Sequence, residues 1–116
     1  MHEASICKSL LEMMQKEKEA KNYSKIYSVT VETGELQLVV PESLDFAFQA
    51  LTKDTEFEGT KLIQKIIPAK AICKDCRLEQ TRDSLYSECK NCGSFKFEML
   101  SGMELQISKM EVEQNV

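Results

Sequence analysis

Apolar residues near the start of the chain recur at the spacing of one helical face. Between Ala4 and about Lys21 these positions are Ile6, Leu10, Met13 and Met14. Residues 16–19 are all charged, as expected where a helix turns its polar side to solvent. The pattern predicts an amphipathic helix over this segment.

A second helix is predicted from Pro41 onward. Proline suits the first turn of a helix, because the N–H that it lacks would have no partner there. The apolar positions then follow at i, i+3, i+4 and i+7, and they are Leu44, Ala47, Phe48 and Leu51.

The segment from Lys25 to Thr33 alternates in the manner of a half-buried strand. Tyr27, Val29, Val31 and Thr33 share one face, and polar residues occupy the other. Gly34 then interrupts the run. We therefore expect a strand whose first face, the one with Tyr27, is buried.

Two further strands are predicted. Lys61 to Ile67 is too short for a helix and rich in β-branched residues. Glu104 to Glu113 alternates with a one-residue slip, which predicts a β-bulge near Ser108 or Lys109.

A more polar segment with four cysteines separates these last two strands. The order helix, strand, helix, strand, cysteine segment, strand lets two helices cover one face of a three-stranded sheet. We expect an α+β fold with an inserted four-cysteine zinc-ribbon-like domain. Residues 1–69 and 100–116 are assigned to the α+β domain, and residues 70–99 to the insert.

Length and composition narrow the class of protein. A chain of 116 residues with 42% hydrophobic and 29% charged residues is typical of one small globular domain carrying an insert. No apolar run approaches the roughly 18–20 residues that span a bilayer, and the N-terminus does not resemble a signal peptide. The expected location is the cytoplasm, without membrane association.

The charge distribution argues against nucleic-acid binding. The net charge is −4, and the cysteine segment 70–99 carries only +1. Binding to a phosphate backbone requires a basic surface that this chain does not concentrate anywhere. We expect no nucleic acid among its partners.

Four of the five cysteines form two CxxC pairs, 12 residues apart. They are Cys73, Cys76, Cys89 and Cys92. Two such turns facing each other supply the four sulfurs of a tetrahedral Zn²⁺ site, which is usually structural because no coordination position stays open. Gly93 follows the second pair and can adopt a positive φ, whereas Arg77 stands at the matching place in the first.

Two other functions compete for the cysteines. A thiol oxidoreductase would use one CxxC pair for redox chemistry, and a zinc-ribbon module could dock on nucleic acid or on a transcription complex. The absence of a βαβ pattern opposes the first, and the weak charge opposes the second. The chain also has a single histidine and no phosphate-binding glycine loop, so we do not expect an enzyme.

His2 is that single histidine, and it lies beside the N-terminal amine. The amine of Met1, the backbone nitrogen of His2 and its imidazole can close adjacent chelate rings around one metal. The backbone nitrogen of Glu3 could complete a planar set of four nitrogens, which favours Ni²⁺ or Cu²⁺ over Zn²⁺. The alternative is that a terminal histidine is simply solvated.

Several motifs, in order along nearly the whole chain, resemble the HypA/HybF family of nickel metallochaperones for [NiFe]-hydrogenase maturation. They are Met1-His2-Glu3 with Ser5, Gly34-Glu35-Leu36, Pro41-Glu42, Phe46-Ala47-Phe48, the paired CxxC motifs with Cys92-Gly93-Ser94, and Ser101-Gly102-x-Glu104-Leu105.

The resemblance implies two metal sites. Nickel, the transferred metal, would be bound by His2 with the amine of Met1 and neighbouring backbone nitrogens including that of Glu3. The four cysteines would hold structural zinc. Arg77 departs from the glycine often found after the first CxxC pair.

The resemblance also implies the partners. They are a hydrogenase-maturation GTPase, the large-subunit precursor of the hydrogenase and, in some organisms, urease maturation proteins. The chain has no P-loop, so GTP hydrolysis would belong to the partner. The edge strands of a small sheet could pair between chains, which leaves both a monomer and a homodimer open.

Overall fold

The computed structural model describes residues 2–82 and 87–115, without the side chain of His2. Within these ranges, neither helix is long and apolar enough to cross a membrane. The elements are α1 (His2–Lys21), β1 (Tyr23–Gly34), a 3₁₀ turn (Glu35–Gln37), α2 (Pro41–Thr52), β2 (Lys61–Ile67), β3 (Lys70–Cys73), β4 (Glu79–Thr81), β5 (Phe97–Ser101) and β6 (Leu105–Gln114).

The strands form two sheets of three, ordered β2-β1-β6 and β4-β3-β5. The chain divides into two compact units. The first unit comprises residues 1–32, 39–65 and 106–116, and the second comprises residues 33–38 and 66–105. Two helices with two small sheets confirm the predicted α+β class.

The apolar faces of the two helices form the core of the first unit. Ile6, Leu10 and Met14 of α1 are buried, and so are Leu44 and Phe48 of α2. These residues are spaced so that each set lies on one side of its helix, and α1 contacts α2. The core therefore contains residues from the predicted apolar face of each helix.

Strand β1 departs from the predicted facing at its start. Val29 is buried as expected, but Tyr27 is 45% exposed and Ile26 is buried instead. Ser28 and Val29 are both buried, so the alternation changes phase between them. The prediction that Tyr27 faces the core was wrong. Its hydroxyl donates to the carboxylate of Glu113 at 2.6 Å, and this bond raises the pKa of Tyr27.

Strand β6 also changes phase along its length. Leu105 and Ile107 are half-buried, Ser108 and Lys109 are both exposed, and Met110 is half-buried again. The change lies where the sequence predicts a slip. A β-bulge at this place stays a prediction.

The sheet of the second unit has β3 at its centre, antiparallel to both neighbours. Ala71 pairs with Gln80 of β4, and Cys73 pairs with Phe97 of β5. Ala69 and Ala71 are buried, but their side chains are small. The predicted insert, residues 70–99, lies inside this unit, which also includes residues 33–38, 66–69 and 100–105.

Close contacts between small residues join the segment 33–38 to the two ends of the cysteine-containing segment, which runs from Ala69 to Gly102. A Cβ on Gly34 would lie 2.0 Å from the carbonyl carbon of Gly102, and a Cβ on Gly102 would lie 2.7 Å from the Cα of Ala69. The N–H of Leu36 donates to the carbonyl of Gly102, and the N–H of Ala69 donates to the carboxylate of Glu35. The two ends of the cysteine-containing segment are therefore held side by side.

Candidate metal centre

The four cysteines of the paired CxxC motifs meet in the second unit. Cys73 ends β3, Cys76 lies in the turn that follows, and Cys89 and Cys92 belong to a second turn before β5. Their four Sγ atoms all lie within 4.8 Å of one another. The spacing of the motifs predicted this meeting, and the structure confirms it.

Each CxxC pair lies in a turn closed by the same backbone hydrogen bond. The N–H of Arg77 donates to the carbonyl of Cys73 at 2.8 Å, and the N–H of Gly93 donates to the carbonyl of Cys89 at 3.0 Å. Arg77 has φ 67° and Gly93 has φ 76°. The turns share one backbone geometry, and Arg77 adopts the left-handed conformation that glycine accepts without strain.

Backbone N–H groups in both turns point at the first sulfur of each pair. The N–H of Cys76 donates to Sγ of Cys73 at 3.5 Å, and the N–H groups of Asn91 and Cys92 donate to Sγ of Cys89 at 3.4 Å. These donors stabilise a thiolate over a thiol. The pKa of Cys73 is lowered, with the N–H of Cys76 as the main cause.

The pKa of Cys89 falls further, to about 6. The N–H of Cys92 contributes most, and the side-chain amide of Gln80 contributes next. A thiolate is the form of cysteine that binds metals, so these hydrogen bonds favour Cys89 as a ligand.

The distances between the sulfurs suit one tetrahedral ion. Zn–S bonds of about 2.3 Å place sulfurs about 3.8 Å apart at the corners of a tetrahedron. The Sγ atoms of Cys73 and Cys92 are 3.6 Å apart, and so are those of Cys76 and Cys89. Four thiolates around one ion leave no position for water or substrate.

The four ligand candidates differ in exposure. Cys73 and Cys89, the first of each pair, are buried, whereas Cys76 is half-buried and Cys92 is exposed. The inner side of the site is thus formed by Cys73 and Cys89, the first cysteine of each pair. Its outer side faces solvent through Cys92.

Gln80 is a contact of the centre that motif spacing did not reveal. Its side-chain Nε2 donates to Sγ of Cys89 at 3.4 Å, and its Oε1 accepts the N–H of Lys90 at 3.1 Å. A glutamine in a polar segment carries no sequence signal of this kind. Only the pairing of β4 with β3 brings it to the second turn.

The three N-terminal residues predicted to bind nickel are only partly described. Met1 and the side chain of His2 lie outside the described residues, and the backbone of His2 begins α1. The carboxylate of Glu3 accepts the N–H of Val40 at 3.2 Å. Val40 is the N-cap residue of α2, so Glu3 contacts the beginning of the second helix.

Cys7 stands apart from the metal centre. It is fully buried in the first unit, and its thiol contacts the carbonyl of Leu44 at 3.5 Å. Burial raises its pKa to about 11, and the nearby charge of Asp45 adds to the effect. Cys7 is a core thiol, protonated at neutral pH.

Comparison with known proteins identifies the family. Residues 1–112 match the HypA family model, described as hydrogenase/urease nickel incorporation, metallochaperone. The hydrogenase maturation factors HypA of Geotalea uraniireducens (strain Rf4) and Geobacter metallireducens are 35% and 34% identical over 113 residues, covering 97% of this chain and 100% of each relative.

A solved structure has the same fold. The solution structure of the Ni metallochaperone HypA from Helicobacter pylori superposes with a TM-score of 0.74 at 22% identity, covering 99% of this chain and 100% of that one. Together with the four-cysteine centre, these matches confirm the resemblance noted in the sequence. The chain belongs to the HypA family of nickel-incorporation metallochaperones.

Proposed function

We propose that this chain carries Ni²⁺ at its N-terminus and delivers it to the large-subunit precursor of a [NiFe]-hydrogenase. The nickel ligands in this proposal are the amine of Met1, the imidazole of His2, and the backbone nitrogens of His2 and Glu3. Delivery of a metal requires no catalytic group, so the proposal describes a carrier rather than an enzyme.

The proposal rests on the start of α1 at His2, in a chain of this family. The N–H groups of the first helical turn have no acceptor within the helix. Nickel bound through the nitrogens of His2 and Glu3 therefore replaces no intrahelical hydrogen bond. Because the carboxylate of Glu3 accepts the N–H of Val40, we assign to Glu3 a backbone ligand and not a side-chain one.

We infer a resident Zn²⁺ at the four cysteines, which serves structure and not transfer. The support is the closed set of four sulfurs with a tetrahedral spacing. On this proposal residues 70–99 form the zinc-binding insert, and residues 1–69 with 100–116 form the nickel-binding part of the chain.

The partners follow from the same proposal. A separate GTPase supplies the energy of GTP hydrolysis, the hydrogenase precursor receives the nickel, and urease maturation proteins are a second destination. The chain acts in the cytoplasm as a monomer or a homodimer, without binding nucleic acid or membrane.

The decisive experiment is a calorimetric Ni²⁺ titration of zinc-loaded protein with an untagged N-terminus. It is run beside His2→Ala and a variant with one residue added before Met1. We expect both changes to abolish nickel binding while zinc stays near one per chain. Equal nickel binding in all three proteins would refute the N-terminal site.

The same titration at two pH values checks the ligand set. The imidazole and the amine have reference pKa values near 6.5 and 8, so protons compete with nickel increasingly as the pH falls. Nickel affinity should be clearly lower at pH 6 than at pH 7.5. An affinity that does not change over this range contradicts these ligands.

Delivery is tested separately from binding. Nickel-loaded protein is mixed with the GTPase, GTP and the hydrogenase precursor, and the nickel content of the re-isolated precursor is measured. Wild-type protein should transfer its nickel. Binding without transfer would retain the nickel site and refute the proposed destination.

A further inference from the structure

We propose that Gln80 is a positioning residue of the four-cysteine centre, which orients the second CxxC turn and donates a hydrogen bond to the ligand sulfur of Cys89. This inference rests on the proposed zinc site. On this proposal, the carboxamide of Gln80 contributes to the metal affinity of the site and affects the electron density on the sulfur of Cys89.

The orientation of the Gln80 carboxamide follows from its partners. The backbone N–H of Lys90 can only donate, so the group 3.1 Å from it must be the oxygen Oε1. The amide nitrogen Nε2 then faces Sγ of Cys89 at 3.4 Å. The reverse orientation would set two donors against each other and the oxygen against a thiolate.

The position of Gln80 lets it act on both CxxC turns. It lies on β4, which pairs with β3, and β3 ends in Cys73 of the first turn. Nε2 also approaches the carbonyl of Leu78 at 3.5 Å, and this carbonyl accepts the N–H of Cys73. The carboxamide therefore ties the second turn to the strand pair that carries the first.

Gln80 also changes the chemistry of the ligand itself. A donor aimed at a ligand sulfur helps to hold that sulfur in place and withdraws electron density from it. Groups that contact metal ligands in this way typically contribute about 10- to 100-fold to metal affinity. Because Gln80 is half-buried, bulk water does not fully replace the lost donor.

Two near-isosteric substitutions separate the two roles. Gln80→Met removes both hydrogen bonds of the carboxamide. Gln80→Glu keeps an acceptor for the N–H of Lys90 but places a carboxylate against the sulfur of Cys89. Zinc affinity should fall about 10-fold for the methionine variant and about 100-fold for the glutamate variant.

The test is the order of zinc affinity among the three proteins. If Gln80 donates to the sulfur, zinc affinity falls in the order wild type, methionine, glutamate. If Gln80 only holds the backbone of Lys90 and its other carboxamide atom does not face the sulfur of Cys89, the glutamate variant stays close to wild type and the methionine variant is weakest. That second order, or equal affinity in all three proteins, overturns the proposal.

A spectroscopic signature adds a readout that backbone positioning alone would not move. In Co²⁺-loaded protein, loss of the donor raises the energy of the sulfur lone pairs, so the sulfur-to-cobalt charge-transfer band of Gln80→Met should shift to longer wavelength. An unshifted band overturns the hydrogen bond to sulfur.

A matched control corrects for charge. Gln114→Glu makes the same change at an exposed residue near the end of β6, in the first unit, and should bind zinc with the wild-type affinity. Far-UV circular dichroism checks that α1 and α2 remain folded in every variant. A wild-type protein that binds neither zinc nor cobalt would refute the metal site itself.

Discussion

The two units of the molecule are stabilised by different kinds of interior. The buried apolar residues of the first unit are large, and they are Ile6, Leu10, Met14, Ile26, Val29, Val31, Leu44, Phe48 and Phe57, together with Cys7. Among the described residues of the second unit, the buried apolar side chains are only Ala69, Ala71, Cys73 and Cys89.

The difference shows where each unit obtains its folding free energy. Burial of a large aliphatic or aromatic side chain contributes about 1.5–3 kcal/mol, whereas alanine contributes far less. A small unit with few buried apolar groups needs another source, and a structural metal is the usual one. The second unit should therefore depend on its metal and the first should not.

The largest expected effect is that of removing the metal. A structural zinc site contributes about 10–16 kcal/mol at neutral pH, so a strong chelator should unfold the second unit. Hydrogen exchange at the amides of Ala71 and Cys73 should become fast. The helical circular dichroism of α1 and α2 should persist, and its simultaneous loss would contradict the division between the units.

Truncation of a core side chain should destabilise the first unit and leave zinc binding in the second unit unchanged. Phe48 is 1% exposed, and Phe48→Ala should reduce the free energy of unfolding by about 3–5 kcal/mol, measured by urea denaturation. Phe46→Ala, at a neighbouring residue that is 77% exposed, is the control with little effect. Bound zinc should stay at the wild-type level in both variants.

A smaller effect is expected from filling the contact between Gly34 and Gly102. Gly34 has φ −69°, so alanine would be unstrained in its backbone, but the new Cβ would lie 2.0 Å from a carbonyl carbon. Gly34→Ala should cost about 3 kcal/mol through this clash.

The control for Gly34 is Gly59→Ala, which meets no neighbouring atom but has φ 87°. It should cost about 1 kcal/mol through its backbone alone. Thermal unfolding ranks the two variants, and an equal cost would mean that the glycine contact is not tight in solution.

The smallest effect concerns the two cysteine turns. Arg77→Gly removes the strain of a left-handed arginine but adds chain entropy to the unfolded state, for a net gain of about 0.5–1 kcal/mol. Zinc release to a chelator should slow about two- to five-fold. Gly93→Ala should accelerate release, and the absence of both effects would show that the turns tolerate either residue.

Helical periodicity and cysteine spacing predicted what depends on local pattern. α2 begins at Pro41 as expected, and the four cysteines meet because two equal turns need only face each other. Leu51 was expected on the buried stripe of α2, yet it is 40% exposed. The end of a helix can leave the core even when its periodicity continues.

What the sequence did not reveal depends on partners distant along the chain. Tyr27 is exposed because β1 changes phase, and its hydroxyl bonds to Glu113, 86 residues later. β4 has only three residues, too few for any propensity signal, and its place comes from pairing with β3. The role of Gln80 in the centre follows from that pairing.

The stack of Ala69, Gly34 and Gly102 has a consequence for how such a chain can vary. The cysteine-containing segment begins at Ala69 and ends at Gly102, and these two residues lie close together. Insertions or deletions between these residues change the length of the segment without changing the distance between its two ends. The length of this segment can change during evolution or by design, whereas Gly34 and Gly102 have no space for a larger side chain.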